Sequence, residues 1–183
     1  VTYEEKLYSV GKIPGGYVKR ETKPSDRETL ISRLIDRPLR PLFDDGFRNE
    51  TQVVATVLSA DSIGLPDILA LNAASAALMI SDIPFSMAVG GVRIGKLNGE
   101  LIINPPVKLH EKLSMNIVVA GTKDAIAMVE AGMNGVTEDE VIEALEYGHE
   151  QIKKLVEVQE RMAAEIGKPK MEYPDFSLPK DLV

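Results

Sequence analysis

The chain has 183 residues, 44% of them hydrophobic, with no cysteine, no tryptophan, two histidines and a formal charge of −7. That length and apolar content give one domain with a core, plus a tail, and are too little for two full domains. The composition excludes a disulfide framework and a thiolate metal site, leaves little for a histidine-built one and fits a reducing cytoplasm; no apolar run reaches the roughly 18 residues of a membrane span.

The opening residues, Val1 to Lys6, lack the basic-then-apolar layout of a signal peptide. Without an initiating methionine they read as the middle of a longer polypeptide. Ile13-Pro14-Gly15-Gly16 is a turn signal, because proline presets φ and glycine accepts the positive φ that follows, which puts Tyr17-Val18-Lys19-Arg20 at or just past a loop tip. Ser25-Asp26-Arg27-Glu28 has the form of a capping box and predicts a helix over Asp26–Arg37. Leu30, Ile31, Leu34 and Ile35 are its expected buried stripe, and Pro38 its expected end. Thr51 to Ser59 is β-branched and mostly apolar, as expected of a central strand covered on both faces. The breaker-free run from Leu65-Pro66-Asp67 to Ile80 reads as a buried helix.

Four short strands follow, over Met87–Ile94, Glu100–Ile103, Asn116–Ala120 and Ala125–Glu130. Asn98-Gly99 predicts a tight hairpin between the first two, and Gly121-Thr122-Lys123-Asp124 a turn between the last two. Thr137-Glu138-Asp139-Glu140 opens a long amphipathic helix to about Ile166, with Val141, Ile142, Leu145, Ile152, Leu155, Val156 and Met162 on its apolar side and Gly167 and Pro169 as its stop. Met171 to Val183, with two prolines and mixed charge, reads as a linker leaving the domain. The sequence holds no internal repeat.

The net negative charge argues against binding nucleic acid over the whole surface, but charge is unevenly placed. From Lys12 to Arg40 there are eight basic and four acidic residues, whereas Thr137 to Ile166 holds nine acidic and three basic. Arg33 and Arg37 fall one turn apart on the first helix, and Arg40 is set between Pro38 and Pro41. Guanidinium forks so placed suit phosphate oxygens. Surface ion pairing with Asp36 and neighbouring carboxylates accounts for the same spacing and is the commoner outcome. Tyr17 with Lys19 and Arg20 has the makings of a single-strand site, an aromatic ring for a base and cations for the adjacent phosphates; an ordinary surface loop has the same composition. Gly90-Gly91 and Gly95 lack the spacing of a phosphate loop. His110 and His149 have no nucleophile or ligand partner at a recognisable spacing, and Asp44-Asp45 and Asp61 read as turn formers before metal carboxylates.

The string from Tyr3 to Phe47, YEEKLYSVGKIPGGYVKRETKPSDRETLISRLIDRPLRPLFDDGF, closely resembles the first core domain of bacterial polynucleotide phosphorylases. GKIPGG, RLIDRPLRPLF, PDILALNAASAAL, NIVVAGT and GHEQ carry the match, which covers nearly all of the chain. The resemblance implies an α+β, RNase PH-like (ribosomal protein S5 domain 2-like) fold, a mixed sheet packed with helices. It implies one partial core domain over residues 1–166, with upstream strands missing and an unpaired sheet edge left behind, and a linker over 167–183 into an all-helical segment. The implied enzyme is a cytoplasmic polyribonucleotide nucleotidyltransferase of mRNA degradation, a homotrimer that joins RNA-degradation complexes and has no membrane part. It uses inorganic phosphate to release nucleoside diphosphates from the 3′ end of single-stranded RNA, with Mg2+ or Mn2+.

By the same resemblance, Gly16 to Arg20 matches the family's constriction loop, which typically has two phenylalanines and two arginines. Here Tyr17 and Val18 take the aromatic places and Lys19 replaces one arginine, so only Tyr17 keeps a stacking face. Arg33, Arg37 and Arg40 match the arginines that hold the 3′-terminal nucleotides. The family's serine-containing phosphate site and metal-holding aspartates belong to a second core domain, so no catalytic or metal residue is expected here, and this part is expected to be inactive alone. A non-catalytic RNA-binding ring subunit of the exosome type is the alternative with the same fold and arginine helix.

Overall fold

The computed structural model describes residues 1–6, 23–61 and 63–177. Strand β1 (Thr2–Glu5), helix α1 (Asp26–Leu39) and strand β2 (Val54–Val57) form a unit in which the two strands pair in parallel, Thr2 opposite Val54 and Glu5 opposite Val57. Helix α2 (Pro66–Ile80) leads into an antiparallel sheet of order β4-β3-β5-β6, made of β3 (Gly90–Leu97), β4 (Glu100–Ile103), β5 (Met115–Gly121) and β6 (Ile126–Met133). Helix α3 (Glu138–Ile166) closes the order. No helix of the described residues is long and apolar enough to cross a membrane.

The core lies on both sides of this sheet, and β5 shows why. Its even-numbered Val118 and Ala120 join Ile31, Leu34, Ile35 and Leu71 beneath α1 and α2, while its odd-numbered Met115, Ile117 and Val119 join Ala144, Ile152 and Val156 of α3. A strand buried on both faces reads as a continuous apolar run, because its period-two alternation has no polar side to reveal. Thr51 to Ser59 was expected to hold that position and does not. Only Val54–Val57 is strand, it pairs with β1 alone among the described residues, and Val54 is 52% exposed. Between β2 and α2 an apolar groove of about 640 Å³ is lined by Val57, Leu58, Leu69, Ala73 and Ile83. The run is apolar because its residues line this groove, and Val53, Ala55 and Val57 also pack against the core.

Two expectations about α1 are also corrected. Leu30 is 64% exposed, and the buried arc is Ile31, Leu34, Ile35, Pro38 and Leu39. Leu30 lies about 100° round the helix from Ile31, which carries it past the edge of the contact. The helix also continues through Pro38, and the Arg40 amide still reaches the Asp36 carbonyl. In the last turn a proline removes one bond, and here the ring is buried against the core, so the bias against helix before proline is overcome. A 3-10 turn, Arg40–Leu42, follows.

In α3 the expected apolar position Ile142 is 54% exposed, and the stripe facing the sheet is Ala144, Gly148, Ile152, Val156 and Gln159. Small residues bring this helix close to β3; a Cβ on Gly148 would sit 2.5 Å from Cδ1 of Ile94. Residues 168–177, in the stretch read as the outgoing linker, lie against the end of α2 and the loop that carries Phe47.

Candidate nucleic-acid interface

Helix α1 begins where the capping box places it. The Glu28 amide donates to Ser25 Oγ at 3.2 Å, and the Ser25 amide donates to the Glu28 carboxylate at 2.7 Å. The same carboxylate accepts from the Glu5 amide at 2.9 Å, which pins the helix start to β1. Burial alone would raise the Glu28 pKa, but these amide donors and the Ser25 hydroxyl outweigh it and hold the carboxyl below its usual range. Further along, Ser32 Oγ accepts from the Tyr3 amide at 2.9 Å and donates to the Glu28 carbonyl at 2.8 Å. One face of α1 is thereby fixed to the fold, and the other is presented outward.

Arg33, Arg37 and Arg40 are all exposed on that outward face. Spaced by four and three residues, they fall within about 60° of one another around the helix axis. Asp36 does not serve all three. It is engaged by Arg40, whose Nε and Nη2 donate to it at 2.7–2.9 Å, while Arg33 and Arg37 have no ion pair among the described residues. Surface pairing therefore accounts for Arg40 and leaves two neighbouring guanidinium groups of like charge without an ion-pair partner among the described residues. Such a pair gains from an anion that bridges it, and a phosphate offers oxygens to both forks. Tyr17, Lys19 and Arg20 lie outside the described residues.

Each histidine meets a backbone carbonyl: Nε2 of His110 is 3.0 Å from the Pro105 carbonyl, and Nε2 of His149 is 3.1 Å from that of Thr122. Asp44 accepts from the Gly46 amide, and Asp61 from the amides of Ile63 and Gly64, as turn-forming aspartates do.

Sequence reasoning missed the polar centre beside α1. Arg93 of β3 donates to Asp67 of α2 at 2.6 Å and to Asn116 of β5 at 2.9 Å, with the Arg93 and Asp67 side chains only 13% and 8% exposed. A cleft of about 380 Å³ opens over it, lined by Leu30, Leu34, Asn116 and Glu130. The available signal was an arginine inside an apolar strand run, since a buried charge requires a partner. Lys96 of the same strand, paired with Glu140 at 2.6 Å, gave the same signal.

Residues 1–84 match the 3′ exoribonuclease family, domain 1, and residues 88–151 match domain 2 of that family. The chain is 56% identical over 174 residues to a polyribonucleotide nucleotidyltransferase of Heliobacterium modesticaldum, a stretch that is 95% of this chain and 24% of that protein. It is 55% identical over 186 residues to one from Geobacillus kaustophilus, 100% of this chain and 26% of the relative. The chain thus spans about a quarter of the length of the curated relatives it matches.

Proposed function

The chain belongs to the 3′ exoribonuclease family, and from that membership we propose that it is part of a phosphorolytic 3′-to-5′ exoribonuclease and supplies a section of its RNA path. In the proposed reaction, an oxygen of inorganic phosphate attacks the phosphorus of the last phosphodiester. The bond from that phosphorus to the 3′ oxygen of the preceding nucleotide breaks, the shortened RNA leaves with its 3′ hydroxyl protonated, and a nucleoside diphosphate is released. One phosphate ester is exchanged for a phosphoanhydride, so the reaction runs in either direction with concentration. Catalysis of this kind is mainly positioning and charge stabilisation, and Mg2+ or Mn2+ would neutralise the reacting phosphates.

No residue of this chain is given a catalytic role. Arg33 and Arg37 would hold phosphates near the 3′ end of single-stranded RNA, Arg40 would join them by exchanging Asp36 for a phosphate, and Tyr17, Lys19 and Arg20 would grip the strand further upstream. Residues 1–166 are taken as one RNase PH-like core domain, with 167–183 leading on. The assembly is a homotrimeric ring working in mRNA degradation in the cytoplasm, alone or within a larger RNA-degradation complex.

The observation that carries this reading is the pair of exposed arginines one turn apart that have no ion pair among the described residues. Its test is binding of fluorescent single-stranded RNA at two salt concentrations by the native chain and by Arg33→Ala/Arg37→Ala. Two lost phosphate contacts should weaken binding and lower the slope of log affinity against log salt by about 1.4, at about 0.7 per contact for single strands. Measurable native binding with an unchanged slope in the double variant would remove these arginines from the RNA path.

A further inference from the structure

Helix α2 ends with no basic residue in its last turn. Helix geometry leaves its final carbonyls without intrahelical donors, and these form the negative end of the helix dipole. The Ser81 amide takes the Ala77 carbonyl at 3.1 Å. Ser81 Oγ donates to the Leu78 carbonyl at 2.9 Å, and the carbonyls from Leu78 to Asp82 are all engaged by one distant segment. The Lys168 amide donates to Ile80 at 2.9 Å and the Met171 amide to Asp82 at 2.7 Å. Between them, Lys170 Nζ donates to the carbonyls of Leu78, Met79 and Ser81 at 3.0, 3.0 and 2.9 Å. An ammonium has three donors, and this one uses all of them. Lys170 therefore supplies both the hydrogen bonds and the positive charge that α2 lacks. Burial lowers its pKa from the ordinary lysine value, and Asp82 works in the opposite direction.

Beyond this clamp the segment has a second anchor. The Tyr173 ring meets Phe47 edge-on at 5.1 Å, Phe47 stacks on Phe43 at 5.9 Å, and the Phe176 amide donates to the Gly46 carbonyl at 3.1 Å. Phe43 is the residue that ends the 3-10 turn begun by Arg40.

We propose that Lys170 is a latch that holds residues 168–177 as a strap across the end of α2, and so fixes the position of Ser177 relative to the arginine-bearing helix. Neutralising the amine releases the strap without disturbing the sheet.

The test is amide hydrogen exchange followed by NMR in the native chain, Lys170→Met, Lys170→Arg and Tyr173→Ala. Lys170→Met keeps an unbranched side chain without charge or donors; exchange at Lys168 and Met171 should accelerate by about tenfold or more, with β5 amides unchanged. Lys170→Arg keeps the charge and should stay near native. Native exchange rates at Lys168 and Met171 in Lys170→Met would overturn the latch, as would equal acceleration there by Tyr173→Ala, which would make the aromatic contact the true clamp. Loss of protection throughout β5 would also overturn it, by making Lys170 part of the core. None of these variants touches Arg33 or Arg37, so strap exchange and RNA affinity report separately.

Discussion

Charge at single residues is governed here by which donors reach which carboxylate. Glu140 caps α3 at Thr137 and also accepts from Lys96 at 2.6 Å, and the Lys96 bond, followed by those from the Thr137 amide and hydroxyl, holds its pKa down at about 2. A folded-state value below the ordinary 4.5 means the contact stabilises the fold at pH above 4.5 and is lost as pH falls towards about 2. In Lys96→Met the Glu140 midpoint, followed by NMR titration, should rise but stay below 4.5, because the Thr137 donors remain. An unmoved midpoint would show that Lys96 is not its main partner. The arginine row was legible for a local reason: residues four apart on a helix share a face whatever the tertiary fold. The choice Asp36 makes was not legible, since helix spacing puts it within reach of both Arg33 and Arg40 and side-chain geometry selects Arg40.

The elements whose ends are set by local chemistry were the ones the sequence placed well. Ser25 with Glu28, and Thr137 with Glu140, open their helices with reciprocal bonds, and Asn98-Gly99 turns its hairpin with φ of 52° and 89°. Gly121, in the predicted turn between β5 and β6, marks a register irregularity in the pairing. A Cβ there would fall within 3 Å of both the Ala125 carbonyl oxygen and Ile126 Cα, and the Thr122 amide uses that carbonyl at 2.9 Å. Backbone has little room to yield, so Gly121→Ala should cost about 1–3 kcal/mol in urea unfolding. A native midpoint would mean that the turn rearranges freely. Pro38 and β2 were misread because their outcome depends on what lies against them. The Pro38 ring is buried, and β2 has an open groove where a covering layer was expected.

On the scale of the whole molecule, the Arg93, Asp67 and Asn116 centre ties α2 to two strands beneath α1. Removing one member of a buried pair strands the other charge, so Asp67→Ala should destabilise by about 3–5 kcal/mol, whereas Asp67→Ala/Arg93→Met should cost less than the single change because no lone charge remains. Urea unfolding of the two variants checks this, and a double variant worse than Asp67→Ala would mean that the Arg93 stem matters more for packing than for charge. The amino-acid sequence by itself determined the helix starts, the hairpin and the shared helix face of the arginines, because each follows from interactions within about four residues. Only the tertiary structure decided that β5 rather than Thr51–Ser59 is the doubly buried strand, that Arg33 and Arg37 have no carboxylate among the described residues, and that Lys170 closes α2 from about ninety residues away. Those are pairings across long stretches of chain, where many partners satisfy the same local pattern and the shape of the assembled core selects one.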